Sequence, residues 1–164
     1  TYVRGEKPAL ERSEVAIFQL LDKMLNTTLE SDRIAGNIMN LSGSPDALVW
    51  GDADRLSRVF TNLLSNAREA MSEGGEITIS VELKDPIVLI QIADSGPGIP
   101  GHLQKRIFEP FVSHGKTNGT GLGLAIAKSI INEHGGDISL HGRAGNGTIF
   151  RVVLPRHLQE ENKT

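Results

Sequence analysis

Three short stretches of this 164-residue chain carry residue types whose spacing could do chemistry. The first is Gly119-Thr120-Gly121-Leu122-Gly123-Leu124, with glycine at alternate positions, running into the helical pattern Ala125–His134. Glycines there remove the side chains that would hold a ligand off the backbone. The helix start behind them offers unsatisfied N–H groups at the positive end of its dipole, so phosphate is the ligand such a turn suits. The second is Asp94-Ser95-Gly96-Pro97-Gly98-Ile99. A carboxylate at the end of a buried strand can accept a hydrogen bond from a ligand amino group while the glycine backbone after it lies flat against a ring. The third is Asn62 with Asn66, one helical turn apart and on one face. Their carboxamide oxygens can join a magnesium shell otherwise filled by phosphates and water.

Each stretch alone also reads locally, as a flexible loop before a helix, a tight turn with a solvated Asp, and two asparagines capping nearby loops. Their coincidence is harder to explain that way. Other glycine motifs narrow the choice. The G-x-x-x-x-G-K-[ST] phosphate loop is absent, because Gly115-Lys116-Thr117 lacks its upstream glycine and strand and Lys128 lies inside a helix. The dinucleotide pattern needs a strand directly before its glycines, whereas an irregular loop precedes them here.

The elements that must position these residues follow from periodicity. Helical spacing of Val15, Ile17, Phe18, Leu20, Leu21, Met24 and Leu25 predicts a first helix over Ser13–Leu29, with Ser13 as N-cap. Ile34–Leu41 and Ala47–Trp50 read as two strands around the turn Ser42–Asp46. Asp52 caps a second helix to about Met71, whose buried stripe runs from Leu56 to Ala70 beside Asn62, Asn66 and Glu69. Alternation in Ile77–Leu83 gives a strand with one buried face, and the nearly continuous apolar run Ile87–Ala93 a central strand. A short helical turn, Leu103–Phe108, then leads into a long irregular stretch whose Val112–Asn118 portion has the character of a mobile lid. A helix over Leu122–His134 stops at Gly135-Gly136, and Asp137–His141 with Thr148–Leu154 forms a closing hairpin.

Composition bounds the rest. Length fits one domain with a real core, and 17 basic against 20 acidic residues give no overall electrostatic reason to bind nucleic acid or an anionic membrane. The chain has no cysteine, hence neither a disulfide framework nor thiolate chemistry. No apolar run is long enough to cross a bilayer. A start on Thr-Tyr-Val-Arg without methionine reads as a fragment of something longer, with residues 1–10 a linker from a missing N-terminal domain, 11–155 the folded domain and 156–164 a charged, frayed tail.

Taken together, the motifs resemble the ATP-binding catalytic domain of sensor histidine kinases, within the wider group of gyrase B, MutL and the large heat-shock chaperones. The resemblance covers Ser13–Leu154, and five motifs fall in the family's order. Asn62–Ala67 is similar to its asparagine box, Asp94–Ile99 to the first glycine box and Ile107–Phe111 to the phenylalanine box. Gly119–Leu124 is similar to the second glycine box and Gly145-Asn146-Gly147-Thr148 to the last, threonine-containing one. The resemblance implies an α/β (α+β) two-layer sandwich of the Bergerat type, a mixed, mostly antiparallel sheet with helices packed on one face. It also implies ATP and Mg²⁺ as cofactors. Asp94 would receive the adenine amino group, with Thr148, Gly96, Gly98 and Ile99 beside the base. Asn66 would hold the metal and Asn62 lie near the phosphates. Gly119, Thr120, Gly121, Leu122, Gly123 and Leu124 would cradle phosphate, and Lys116 in the lid would be placed to reach the terminal one.

Two departures stand out. Many family members carry a basic residue three positions after the metal asparagine, where this chain has Glu69, with Arg68 one position earlier. The histidines at 102, 114, 134, 141 and 157 all fall within or after the motifs, so no phosphoacceptor helix is present and no catalytic residue is assigned in this chain. The implied activity is donation of the γ-phosphate to a histidine on a separate dimerisation domain, with a response regulator receiver downstream. The setting would be cytoplasmic, whether or not the parent protein is membrane-anchored, with no nucleic-acid partner and no membrane contact from this fragment. An ATP-driven clamp is the competing function, but its relatives place a water-activating glutamate where this chain has Asn62, and an amide is no general base. A regulatory nucleotide-binding module, or a relative that phosphorylates serine, is a third.

Overall fold

The computed structural model describes residues 8–112, 121–142 and 147–159. Along them the chain forms β1 (Ser13–Ala16), α1 (Ile17–Ile34), β2 (Asn37–Gly43), β3 (Leu48–Gly51), α2 (Ala53–Ala70) and β4 (Gly75–Lys84). It continues through β5 (Ile87–Asp94), α3 (Gly101–Gln104), α4 (Gly123–Glu133), β6 (Asp137–His141) and β7 (Thr148–Pro155). A five-stranded sheet has the order β2-β4-β5-β7-β6, and β1 and β3 form a separate two-stranded one. Only the β2–β4 pairing is parallel in the larger sheet. The expected mixed, mostly antiparallel sheet is therefore present, with β5 at its centre.

Period-two alternation makes one face of this sheet apolar. Ile77, Ile79 and Val81, Val88, Ile90 and Ile92, and Phe150, Val152 and Leu154 are all buried, and the register aligns Ile79 with Ile92 and Phe150 in one row. Three helical stripes join the same core: Ile17, Leu21 and Leu25 of α1, Leu56 to Ala67 of α2, and Leu124, Ala127, Ile130 and Ile131 of α4. Residues of the opposite sheet face, such as Leu89, Gln91 and Arg151, are only half-buried. No helix among the described residues is long and apolar enough to cross a membrane.

Helices α2 and α4 are pinned together where α2 begins and α4 ends. Asp52 caps α2 by accepting from the Arg55 N–H at 3.1 Å. Its own N–H donates to His134 Nε2 at 3.0 Å, and His134 Nδ1 lies 2.7 Å from the Ile130 carbonyl. A ring nitrogen that accepts from a backbone N–H leaves the other to carry the proton, so the His134 ring is fixed with Nδ1 as donor. Gly51 permits this, because a Cβ there would lie 2.7 Å from the ring.

Four local expectations change. Ser13–Ala16 is a strand, because its main chain pairs with β3 and Val15 lies opposite Val49 in the core; the first helix starts at Ile17 and runs on to Ile34. The two strands around the Ser42–Asp46 turn form as expected, but they join different sheets. At Gly43, φ is +127° and a Cβ would lie 2.0 Å from the Val81 carbonyl oxygen, so β2 closes onto β4 while β3 departs to the smaller sheet. The short helix sits earlier than expected, at Gly101–Gln104, followed by turns to Phe108. Finally, the start of the charged tail is held: Arg156 N–H donates to Pro86 O, His157 N–H to Leu48 O, and the His157 ring meets Trp50 with centroids 5.2 Å apart. Upstream, the end of the expected linker is tied as well, by Arg55 donating to Pro8 O at 2.9 Å and the Glu11 N–H to Asp52 Oδ2 at 3.1 Å.

Replacing His134 with alanine strands the buried Asp52 N–H. We expect a loss of about 1–3 kcal/mol, read as a lower midpoint in urea unfolding. An unchanged midpoint would show that the pin contributes nothing.

Candidate functional site

A cavity of about 270 Å³ opens between the end of α2, the loop after β5 and the start of α4. Asn66, Glu69, Ala70 and Ser72 form its α2 side, and Pro97, Gly98 and Ile99 the side of the glycine loop. Ile107, Val112, Gly121, Gly123, Leu124 and Thr148 complete the wall. Asn66 and Glu69 face it together because residues three apart on a helix share a face.

Sheet register places the carboxylate. Asp94 ends β5 and is paired with Thr148, the first residue of β7, and with Ile77 of β4. Register partners point to one face, so Asp94 and the cavity-lining Thr148 stand side by side at the sheet's end. Asp94 is 9% exposed, and its Oδ1 accepts from the Gly96 N–H at 2.9 Å. Burial pushes its carboxyl above the usual carboxylate range, against the opposing effect of hydrogen bonds from the Gly96 and Thr148 backbones. Gly147 lets β7 start this close: its φ is +79°, and a Cβ would sit 2.2 Å from the Asp94 carbonyl oxygen.

The opposite wall is a helix start. No side chain hydrogen-bonds at the N-cap of α4, Leu122, whereas α2 is capped by Asp52. Gly121, Gly123 and Leu124 bring this end of α4 to the cavity. Asn62 anchors it, since its Nδ2 donates to the Gly123 carbonyl at 3.1 Å. Below, the Phe111 N–H donates to the Gly121 carbonyl at 2.9 Å, and Gly121 at φ +71° leaves room for the Phe111 main chain that a Cβ would meet at 2.6 Å.

Of the residues singled out in the sequence, Asn66, Gly98, Ile99, Gly121, Gly123, Leu124 and Thr148 line one cavity. Asp94, Gly96, Asn62 and Leu122 are beside it, not on its wall: the first two through the Asp94–Gly96 hydrogen bond, Asn62 through Gly123. Lys116, Gly119 and Thr120 lie outside the described residues, as does the lid beyond Val112. Ala70 and Ser72 were not singled out, and Pro97, Ile107 and Val112 entered only as members of longer motifs; small or apolar, they carry no chemical signal that separates cavity wall from core. Arg68 faces away. Its Nε and Nη2 donate to Asp32 at 2.6 and 2.9 Å, tying the end of α2 to α1. Burial opposes the charge of Asp32, but the Arg68 guanidinium beside it holds its carboxyl below the usual range.

Residues 51–158 match the family described as histidine kinase-, DNA gyrase B-, and HSP90-like ATPase. Sporulation kinase C of Bacillus subtilis (strain 168) is 38% identical over 136 residues, covering 81% of this chain and 32% of its own length. The chain thus spans about a third of that relative. Among solved structures, the catalytic domain of histidine kinase ThkA superposes with a TM-score of 0.82 at 36% identity, covering 89% of this chain and 96% of that one. Full-length ShkA in complex with AMPPNP gives a TM-score of 0.82 at 28% identity, covering 93% of this chain and 32% of that one.

The raised Asp94 carboxyl has a measurable sign. A carboxyl raised in the folded state favours folding while protonated and loses that advantage as pH rises from the unfolded value through the folded one. Asp94→Asn keeps the backbone hydrogen bonds without the buried charge, so it should unfold at a higher midpoint than the parent at pH 7. The gap should close as pH falls through the carboxylate range in pH-dependent urea unfolding; a gap that widens instead would contradict the assignment.

Proposed function

The chain belongs to the histidine kinase-, DNA gyrase B-, and HSP90-like ATPase family, as an ATP-binding catalytic domain of the sensor histidine kinase kind, and we propose that it binds Mg·ATP and presents the γ-phosphate to a histidine on a separate dimerisation domain. The observation that carries this reading is one cavity with a buried carboxylate beside one end and an uncapped helix start at the other. An adenine amino group suits the first and phosphates the second.

In this reading Asp94 accepts from the adenine amino group, its remaining lone pairs free of the Gly96 N–H. Thr148 lies beside the base, with Gly98 and Ile99 against the ring. Gly121, Gly123 and the first N–H groups of α4 receive phosphate, together with Gly119, Thr120 and Lys116 of the adjoining stretch. The Asn66 amide oxygen, a hard donor on the cavity wall, fits a magnesium ion shared with the phosphates. Bound there, the ion would neutralise phosphate charge. This chain's own share of catalysis is then positioning, which suits phosphoryl transfer. Residues 11–155 form the catalytic unit, connected to an acceptor domain of the same parent protein. The setting is cytoplasmic, and a response regulator receiver accepts the phosphate next.

Asn62 argues against the clamp reading. Its amide donates to the Gly123 carbonyl and holds the start of α4, a structural duty that leaves no base there to activate water.

The test is transfer of label from γ-labelled Mg·ATP to a separately supplied acceptor domain, with label expected to be acid-labile. Acid-stable label, or none despite tight ATP binding, would overturn the reading. Asp94→Asn should abolish ATP binding in calorimetry while the chain remains folded.

A further inference from the structure

We propose that Glu69 completes the cation site with Asn66 and makes nucleotide binding depend on the divalent ion; this rests on the Mg·ATP reading of the cavity. Both residues project from α2 onto the same cavity wall, one turn apart. Asn66 is neutral. Magnesium is usually held by one or two carboxylates in addition to substrate phosphates, and Glu69 is the one ionisable side chain among the described residues that line the cavity. Asn66 and Glu69 together offer an amide and a carboxylate oxygen, both hard donors of the kind magnesium takes. Among the described residues no group of three or more His, Cys, Asp or Glu side chains could hold a metal by itself. A cation here is therefore shared between protein and nucleotide.

Charge explains the dependence. Neither lysine nor arginine lines the cavity among the described residues, and the neighbouring Arg68 is committed to Asp32 on the α1 side. Asp94 adds a second carboxyl next to the same cavity, beside Thr148. Among the described residues, unescorted triphosphate approaches a wall of its own sign, opposed by the start of α4; triphosphate carrying a divalent cation finds in Glu69 a ligand in place of a repelling charge. Glu69 acts as a selector for the metal-loaded nucleotide.

The experiment titrates ATP into the parent chain, Glu69→Gln and Glu69→Lys by calorimetry, with excess magnesium and with chelator, and adenosine as the uncharged control. Urea unfolding of each variant, run alongside, checks that it is folded under the conditions of the titration. The parent should lose roughly tenfold or more in ATP affinity when magnesium is chelated. In Glu69→Gln that ratio should shrink severalfold, and in Glu69→Lys it should shrink further because affinity for metal-free ATP rises. Adenosine should bind all three alike. A magnesium ratio in Glu69→Gln equal to the parent's, with Mg·ATP still binding, overturns the proposal and leaves the reading of the cavity intact. Altered adenosine affinity also overturns it, by placing the effect at the base. A parent chain that binds no Mg·ATP removes both.

Discussion

The antiparallel pairing of α2 and α4 is the constraint on which the rest depends. It is fixed twice, by His134 against Asp52 at one end and by Asn62 against Gly123 at the other. At 1.5 Å per residue, the pins lie about 15 Å apart along α2 and about 16 Å apart along α4, so the two spacings match. Between them the stripes Leu56–Leu63 and Leu124–Ile131 meet in the core. Slippage of either helix would break both pins and withdraw Asn66 from the start of α4. The cavity is the gap left where two helices, locked to each other, meet the end of a sheet.

The sheet supplies the complementary half. Because register partners share a face, pairing β5 with β7 from Ile87–Pro155 to Asp94–Thr148 both builds the apolar rows and delivers a carboxylate to their last position. The row that is Ile92 and Phe150 in the core becomes Asp94 and Thr148 two residues on. Polar side chains there cost burial energy that apolar ones would not, as the raised Asp94 carboxyl records. The uncapped α4 is a parallel concession, since a capping side chain on a helix of this kind is worth about 1 kcal/mol. Stability is given up at both ends of one cavity.

What could be read from the amino-acid sequence divides along physical lines. Helix α2, with its Asp52 cap, and the strands β4 and β5 were legible because their periodicity and caps are local. β1 was not: Ser13 resembles a cap, Val15 falls in phase with the helix that follows, and the partner that makes it a strand lies beyond Ala47. The turn after β2 was visible, but the direction of its exit depends on Gly43 packing against Val81. Within the cavity, Asn66 was identifiable by type and spacing, and Thr148 through the resemblance of Gly145–Thr148 to the family's last box. Helical spacing already put Glu69 on the stripe of Asn62 and Asn66, whereas the partner of Arg68 could not be read, because Asp32 lies on another helix and meets it only in the folded chain. The hydrogen bond of Asn62 to Gly123 is a tertiary fact that its position on the helix does not announce.

The hydrogen bond between Phe111 and Gly121 has a consequence for how this architecture can diversify. Phe111 is 77% exposed and holds a left-handed backbone at φ 67°, a conformation that costs a bulky residue energy and that the Gly121 contact stabilises. The two ends of the intervening segment are thereby sewn together below the cavity. With the separation of Phe111 and Gly121 fixed in this way, doubling the length of chain between two such anchored points costs only about 0.6 kcal/mol in closure entropy. Relatives of this domain can therefore differ in the length and composition of the chain after Val112 while the described walls keep their positions.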